Sequence, residues 1–427
     1  MLKKWWESVQ VYGDKRMLTM AALGFSSGFP LLLVFGTLNL WLKNAGVSLA
    51  VIGMFSLAKA PYSFKWLWSP LMDAVSLPLF RRLGRRRGWA LFTQILLMLS
   101  IWGMASTNPA EKPLLMAFFA FLVTIASASQ DIVLDAYRIE SFKPREQGAG
   151  AAVFVLGYRF GTIFSGAGAL YMASVMSWED VYKIMSLGAV VGMITILCVK
   201  EPKAPQPQKH LSQSRLQKIR DFVKTAVVDP FRDFGRRKDW KLILLFVFLY
   251  RMSDAYIGPM AYPFYDDMGF TKIQIASIIK IYGVVATIGG VLLGGVIVNR
   301  FGVLRSLLIC GIFQGLSNLV FVGQAYAGNN IYVLITTISV ENVTGGMGTA
   351  ALVAYLSSLC NVKYTATQYA LLSSLMSLAR DVFAATSGFL ASVVSWQTFF
   401  FLTTLMALPG LIVWYFIAKP YKAALNK

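Results

Sequence analysis

The chain repeats one pattern twelve times: a run of about 20 mostly apolar residues followed by a polar or turn-rich break. Such a run crosses a hydrocarbon layer roughly 30 Å thick at about 1.5 Å per helical residue, and only a helix satisfies its backbone within one lipid-exposed segment. The expected spans run from Met17 to Trp41, Val51 to Trp68, Trp89 to Ser106, Leu114 to Arg138, Gly148 to Val175, and Val181 to Val199. After a long polar break come Trp240 to Met260, Ile273 to Val298, Leu304 to Ala325, Ile331 to Ser358, Thr367 to Val393, and Thr398 to Ile417. A soluble core would not bury the apolar surface of 427 residues that are 56% hydrophobic, so lipid takes the rest. The expected fold class is all-α integral membrane, with 12 transmembrane helices in two pseudo-symmetric six-helix bundles. The expected division is an N-terminal segment 1–16, a bundle 17–199, a basic linker 200–239, a bundle 240–417 and a tail 418–427.

An excess of 40 Lys+Arg over 20 Asp+Glu invites a nucleic-acid reading, yet the cations collect in alternate loops. One side holds Lys15, Arg16, the run Arg81 to Arg87, the loop from Lys200 to Lys241, Arg300, Arg305, Lys363 and Lys419; the other offers only Lys43, Lys112, Lys183 and Lys272. The positive-inside rule then puts both termini and the linker in the cytoplasm of a multi-pass inner-membrane protein, and no nucleic-acid partner is needed to explain the charge. The N-terminus has no signal-peptide cleavage pattern, so the first span is expected to stay in the mature protein. In the linker, Leu216, Ile219, Phe222, Val223 and Val227 recur at helical spacing among Arg and Lys, the pattern of an amphipathic helix on an anionic leaflet; a solvated linker is the other reading.

Catalysis has little to work with. The single histidine, His210, lies in the linker, and Cys198, Cys310 and Cys360 lie in or beside spans with no ligand spacing, so no metal, cofactor or enzyme activity is expected. No P-loop is present, which leaves secondary transport of a small molecule by a protein expected to act as a monomer.

Internal symmetry supports a transporter. Gln147, Ala149 and Arg159 match Gln368, Ala370 and Arg380 at one constant offset, and alternating-access carriers are commonly built from repeats. The segment Gly295-Val-Ile-Val-Asn299-Arg300-Phe-Gly302-Val-Leu-Arg305 resembles the loop element of the major facilitator superfamily, whose fold the chain is expected to share. A longer version follows the second span, with Asp73 and Arg81 to Arg87. Such elements can lock helix ends, so Asp73, Arg86, Asn299, Arg300 and Gly302 are read as gating residues; Asn299 in place of the usual acid removes the charge lock from the second copy.

A narrower resemblance rests on Gly24-Phe-Ser-Ser-Gly-Phe-Pro30, Phe64-Lys-Trp-Leu-Trp-Ser-Pro-Leu-Met-Asp73, Ala128-Ser-Gln-Asp-Ile-Val-Leu-Asp-Ala136, Leu156-Gly-Tyr-Arg159 and Glu341-Asn-Val-Thr-Gly-Gly-Met-Gly-Thr-Ala350. These blocks resemble the AmpG family of muropeptide permeases. The resemblance implies proton-driven import of anhydro-muropeptides, N-acetylglucosaminyl-anhydro-N-acetylmuramyl peptides, from periplasm to cytoplasm for cell-wall recycling. Acetyl-coenzyme A transporters share parts of the pattern and supply the alternative cargo.

Ionisable groups at membrane depth are costly and normally face a partner or a water-filled space. Arg159, Arg380, Arg251, Lys59 and Lys280 are candidate ligands for cargo carboxylates; the competing reading for the arginines is a buried structural ion pair. Proton coupling needs an acid that gains and releases a proton, and Asp131 is the first candidate because Asp135 lies one turn away and two adjacent carboxylates disfavour joint ionisation. Glu341 and Asp254 come next, while the competing reading for Asp135, near the helix terminus, is a cytoplasmic-end salt bridge with Arg138 or the basic loop. Gln130, Asn342, Tyr62, Trp66, Tyr158 and Tyr250 have the amide and aromatic character that grips sugar rings, with packing as the other reading for each aromatic.

Overall fold

The computed structural model describes residues 10–144, 146–202, 224–271 and 274–425, which form helices joined by short turns, with no strand among the described residues. The first half comprises α1 (Lys15–Asn44), α2 (residues 49–74, in pieces), α3 (Arg85–Ala105), α4 (Pro113–Ser141), α5 (Gln147–Ala173) and α6 (Trp178–Cys198). The second comprises α7 (Trp240–Asp267), α8 (residues 275–301), α9 (Val303–Ala327), α10 (Ile331–Leu359), α11 (Thr365–Val393) and α12 (Trp396–Lys419). A linker helix, Asp229–Gly235, precedes α7. The proposed amphipathic segment around Leu216 to Val223, together with His210, lies outside the described residues.

Nine helices among the described residues are long and apolar enough to cross a membrane; α2, α10 and α11 are the remaining three. The reason is composition and continuity. Helices α10 and α11 run for 29 residues each but are rich in Thr, Ser and Gly, and α2 is cut into short α and 3-10 pieces with Pro61 and Pro70 at the starts of two of them. Proline lacks the N–H that would continue the preceding turn. A helix enclosed by protein can give up apolar residues that a lipid-facing helix needs, and these three all pack across the middle of the molecule. On the outer surface Phe118, Ile194 and Phe313 are each more than half exposed, as lipid contact requires.

Within each half, glycine sets the closest helix contacts. A Cβ at Gly157 would lie 1.9 Å from the Ala21 carbonyl oxygen and one at Gly24 2.0 Å from that of Phe154, which welds α1 to α5; Gly290 does the same for α8 and α10, 2.1 Å from the Val343 oxygen. Two more glycines repeat at the loop elements: Gly84 (φ 96°) precedes α3 and Gly302 (φ 77°) precedes α9, a backbone region open mainly to glycine. The halves themselves meet where α5 crosses α8, with Gly148 against Val298 and Gly295 against Ala152 and Tyr12.

Candidate transport site and inter-half latch

Helix ends carrying the basic loops define one end of the bundle, here called the basic end. Every hydrogen bond between the halves among the described residues lies there. The Tyr12 hydroxyl donates to the Leu292 carbonyl (2.9 Å), and Arg138 Nη1 donates to Ser357 Oγ (3.0 Å). The strongest link is Asp73, 2% exposed. Its carboxylate accepts the backbone N–H of Ala366 (3.2 Å) and Thr367 (2.7 Å) and the Thr367 hydroxyl (2.7 Å). The first N–H groups of a helix have no internal partner and carry the positive end of its dipole, so a carboxylate of one half caps α11 of the other. Arg86 holds this carboxylate at 2.7 Å and Glu140 at 2.6 Å, all three side chains being almost fully buried. Glu201 accepts the backbone N–H groups of Arg86 (2.7 Å) and Arg87 (3.0 Å), capping α3 in turn.

Among the described residues the second loop element shows no ion pair like the Asp73–Arg86–Glu140 set: Arg300 lies 5.5 Å from the Phe301 ring centroid. Asn299 carries no charge to supply one. The linker helix closes over the same end. Phe234 is buried in the second half's core, Asp233 accepts from Gln368 Nε2 (2.9 Å) and Asn361 Nδ2 (3.2 Å), and Phe231 meets Trp66 of the first half edge-on at 6.2 Å.

Deeper in the bundle lies a polar layer. Counted from the basic ends of their helices, Asp131, Arg159, Arg251 and Arg380 sit at about 15 to 23 Å, near the centre of the span. Asp131 accepts from Ser27 Oγ at 2.6 Å, and Tyr62 donates to Ser127 Oγ at 2.8 Å. Arg251 pairs with Asp254 at 2.7 Å and also donates to Thr349 Oγ1. Glu341 accepts from Asn342 Nδ2 at 2.6 Å, while Asn342 accepts from Thr287 Oγ1 at 2.7 Å. Tyr158 is within electrostatic range of Asp131, Arg159 and Arg380, and Arg159 within that of Arg251 and Glu341. Groups from α1, α2, α4, α5, α7, α10 and α11 thus form one connected layer across both halves.

Several of the residues singled out in the sequence stand elsewhere. Gln130 is fully buried and donates to the Ser26 carbonyl (2.6 Å), which makes it a tie between α4 and α1. The Tyr250 hydroxyl donates to the Leu307 carbonyl (2.9 Å) inside the second half, and Trp66 packs at the basic end. Asp135 is paired with Arg138 at 3.1 Å beside the inter-half contact. Lys59 is exposed, 5.1 Å from the Phe35 ring centroid, and the side chain of Lys280 lies outside the described residues. Sequence reasoning missed Ser27, Thr367, Glu140 and Asp233. The last two stand in polar runs indistinguishable from solvated loop ends, and two of the three donors that α11 offers Asp73 are backbone N–H groups, which leave no trace in residue identity.

The family model of the Major Facilitator Superfamily matches residues 243–427, and that of Acetyl-coenzyme A transporter 1 matches residues 16–112. The chain is 38% identical over 408 residues to the anhydromuropeptide permease of Escherichia coli, covering 95% of this chain and 80% of that protein. It is 36% identical over 406 residues to the transporter named AmpG 4 of Rickettsia conorii, covering 95% and 97%. Among solved structures, the proton:xylose symporter XylE bound to 6-bromo-6-deoxy-D-glucose is similar with a TM-score of 0.69 at 14% identity over 94% of each chain. The human organic anion transporter TETRAN is similar at 0.65 and 14% identity, over 96% of this chain and 99% of that one. At that identity the structures speak for the fold alone, which is the major facilitator fold of two six-helix bundles. The sequence relatives are permeases and transporters, so the chain is a membrane transporter and not an enzyme. Identity above one third along nearly the whole length, on this fold, makes the chain a member of the AmpG family of the major facilitator superfamily.

Proposed function

We propose that this protein imports anhydro-muropeptides across the bacterial inner membrane by alternating access, driven by proton entry, as a monomer with both termini in the cytoplasm. The observation that carries the reading is the 38% identity with an anhydromuropeptide permease over 95% of the chain. The polar layer supports it, because a peptide-bearing disaccharide offers carboxylates to arginines and amides and amines to carboxylates. With the basic end cytoplasmic, the latch closes that side and the space between the halves faces the periplasm, ready to receive cargo.

For the proton, Asp131 remains the best candidate. Asp254 and Asp135 are ion-paired with Arg251 at 2.7 Å and Arg138 at 3.1 Å, whereas among the described residues Asp131 hydrogen-bonds only a hydroxyl, Ser27 at 2.6 Å. A hydroxyl donates to a carboxylate and accepts from the protonated acid, so this contact survives both states. Glu341, held by the Asn342 amide, is second. The test is uptake of labelled anhydro-muropeptide into proteoliposomes: accumulation with an inward proton gradient is expected, and gradient-independent or absent uptake by folded protein overturns the reading. The match of residues 16–112 to acetyl-coenzyme A transporter 1 favours one second reading, a carrier of acetyl-coenzyme A; competition by coenzyme A compounds but not by muropeptides would select it.

A further inference from the structure

Most polar groups in the layer are already engaged. Tyr62, Arg251, Asp131, Asp254, Glu341 and Asn342 each have a hydrogen-bond partner at 2.9 Å or less. Tyr158 and Arg159 are not, and Arg380 is held only at long range. Arg159 is half-buried, its Nε is sealed from solvent with no hydrogen-bond partner, and no carboxylate lies within ion-pair distance among the described residues. The Tyr158 hydroxyl beside it has no partner among the described residues either. Among the described residues Arg380, with a side chain 68% exposed, reaches only its own neighbour Asp381 at 3.4 Å. All three are donors, and the two arginines stand at the same offset that relates Gln147 to Gln368 in the repeat.

Their placement matters as much as their availability. Arg159 and Tyr158 belong to the first half and Arg380 to the second, yet Tyr158 is within electrostatic range of both arginines. Helix α11, which carries Arg380, packs against α2 and α4 of the first half, so the exposed guanidinium stands on an element at the seam between the halves. Helix α5 is fixed against α1 by the Gly28 contact, where a Cβ would lie 2.2 Å from the Tyr158 carbonyl oxygen, so the backbone that carries Tyr158 and Arg159 stays in place. An unpaired guanidinium at membrane depth is costly. An arriving anion would offset that cost.

We infer that Tyr158, Arg159 and Arg380 form one anion subsite shared by the two halves, which takes a carboxylate of the cargo and ties the halves together only when cargo is bound. Arginine and tyrosine present several N–H and O–H donors to a carboxylate, and charge-assisted bonds of this kind are the strong ones. A neutral cargo would leave the Arg159 guanidinium without a carboxylate and would be rejected. The inference uses the proposed function only for the identity of the cargo.

The test measures equilibrium binding to the full-length protein in nanodiscs, by calorimetry, of an anhydro-muropeptide with a free peptide C-terminal carboxylate and of the same compound as its C-terminal amide. Tenfold or greater weakening of the amide is expected; equal affinities overturn the inference without changing any protein residue. Arg159→Gln and Arg380→Gln should each remove most of the acid-over-amide preference, with Arg159→Lys and Arg380→Lys retaining part of it. The double variant should lose no more than the worse single, because both donors serve one group; additive losses would mean two separate anion sites and overturn the sharing. If neither muropeptide binds but acetyl-coenzyme A does, and its binding falls in both Gln variants, the cargo assignment fails and the anion subsite stands. If muropeptide binds and the Gln variants leave the preference intact, the subsite fails and the cargo assignment stands.

Discussion

Replacing Asp73 with asparagine should open the basic end of the protein. The carboxylate makes three hydrogen bonds to the first turn of α11, at 3.2, 2.7 and 2.7 Å, and these are the only bonds it makes across the halves. Bonds to a charged group contribute about 1.5 to 3 kcal/mol each. Asparagine keeps one acceptor oxygen but loses the charge and turns an NH2 group toward backbone donors, so roughly 3 kcal/mol of the closed state's advantage should disappear. At about 1.4 kcal/mol per factor of ten, the closed-to-open ratio falls by on the order of 100-fold. Arg86 is not stranded by the change, because Glu140 still holds it at 2.6 Å. The assay is a pulsed electron-spin distance measurement between nitroxides at positions 82 and 363, both exposed on that end in different halves, after replacement of the exposed Cys198 and the half-buried Cys360. A longer, broader distance distribution is expected for Asp73→Asn. Glu140→Gln is the control: its bond lies within one half, so it should lower thermal stability and leave the distance unchanged. A folded Asp73→Asn protein with the parental distances would refute the reasoning.

Other changes act on separate parts of the structure. Gly157→Ala places a Cβ 1.9 Å from a backbone oxygen and should cost about 1 to 3 kcal/mol in unfolding stability; Gly258→Ala, with nothing within 4 Å, should stay within about 0.5 kcal/mol, both read as unfolding midpoints in detergent. Asp131→Asn should abolish gradient-driven accumulation in proteoliposomes while sparing counterflow exchange, whereas loss of both would assign Asp131 to cargo binding or folding. Asp14, outside the spans, is held below its ordinary value of 3.8 by hydrogen bonds from Arg16, which also reaches Glu146 at 3.1 Å. A lowered folded value means that this contact stabilises the fold above about pH 4 and is lost as pH falls through the lowered value. Hydrogen exchange of residues 10–16 should therefore quicken only below pH 4, and quickening already between pH 5 and 7 would contradict the assignment.

The spans were legible because lipid imposes its own length and apolarity on every segment that crosses it, and each expected run from Met17 to Ile417 coincides with a helix. The start of α5 at Gln147 and of α11 at Thr365 fell within a few residues of expectation. Helix α2 was not legible as broken: Pro61 and Pro70 are visible, but whether proline ends a helix or only kinks it depends on what packs around it. For the polar layer, charge at mid-span was enough to nominate Asp131, Arg159, Arg251, Asp254, Glu341 and Arg380, since an ionisable group at that depth needs a partner or water wherever it sits.

Which of those groups are engaged and which are free was decided only by the tertiary structure. Gln130 and Tyr250 have the chemistry of sugar ligands, yet helix crossings aim them at carbonyl groups of Ser26 and Leu307. Asp73 was readable as a gating candidate, but two of its three partners across the halves are backbone N–H groups nearly 300 residues away, donors that every non-proline residue carries alike. Sequence alone determined that twelve helices cross a bilayer in two related halves with charge buried at their centre, because hydropathy and repeat spacing are properties of residue order. How the two halves meet at the basic end, and which donors they leave unpaired between them, arises from contacts between residues far apart in the chain, and those exist only once the helices have packed.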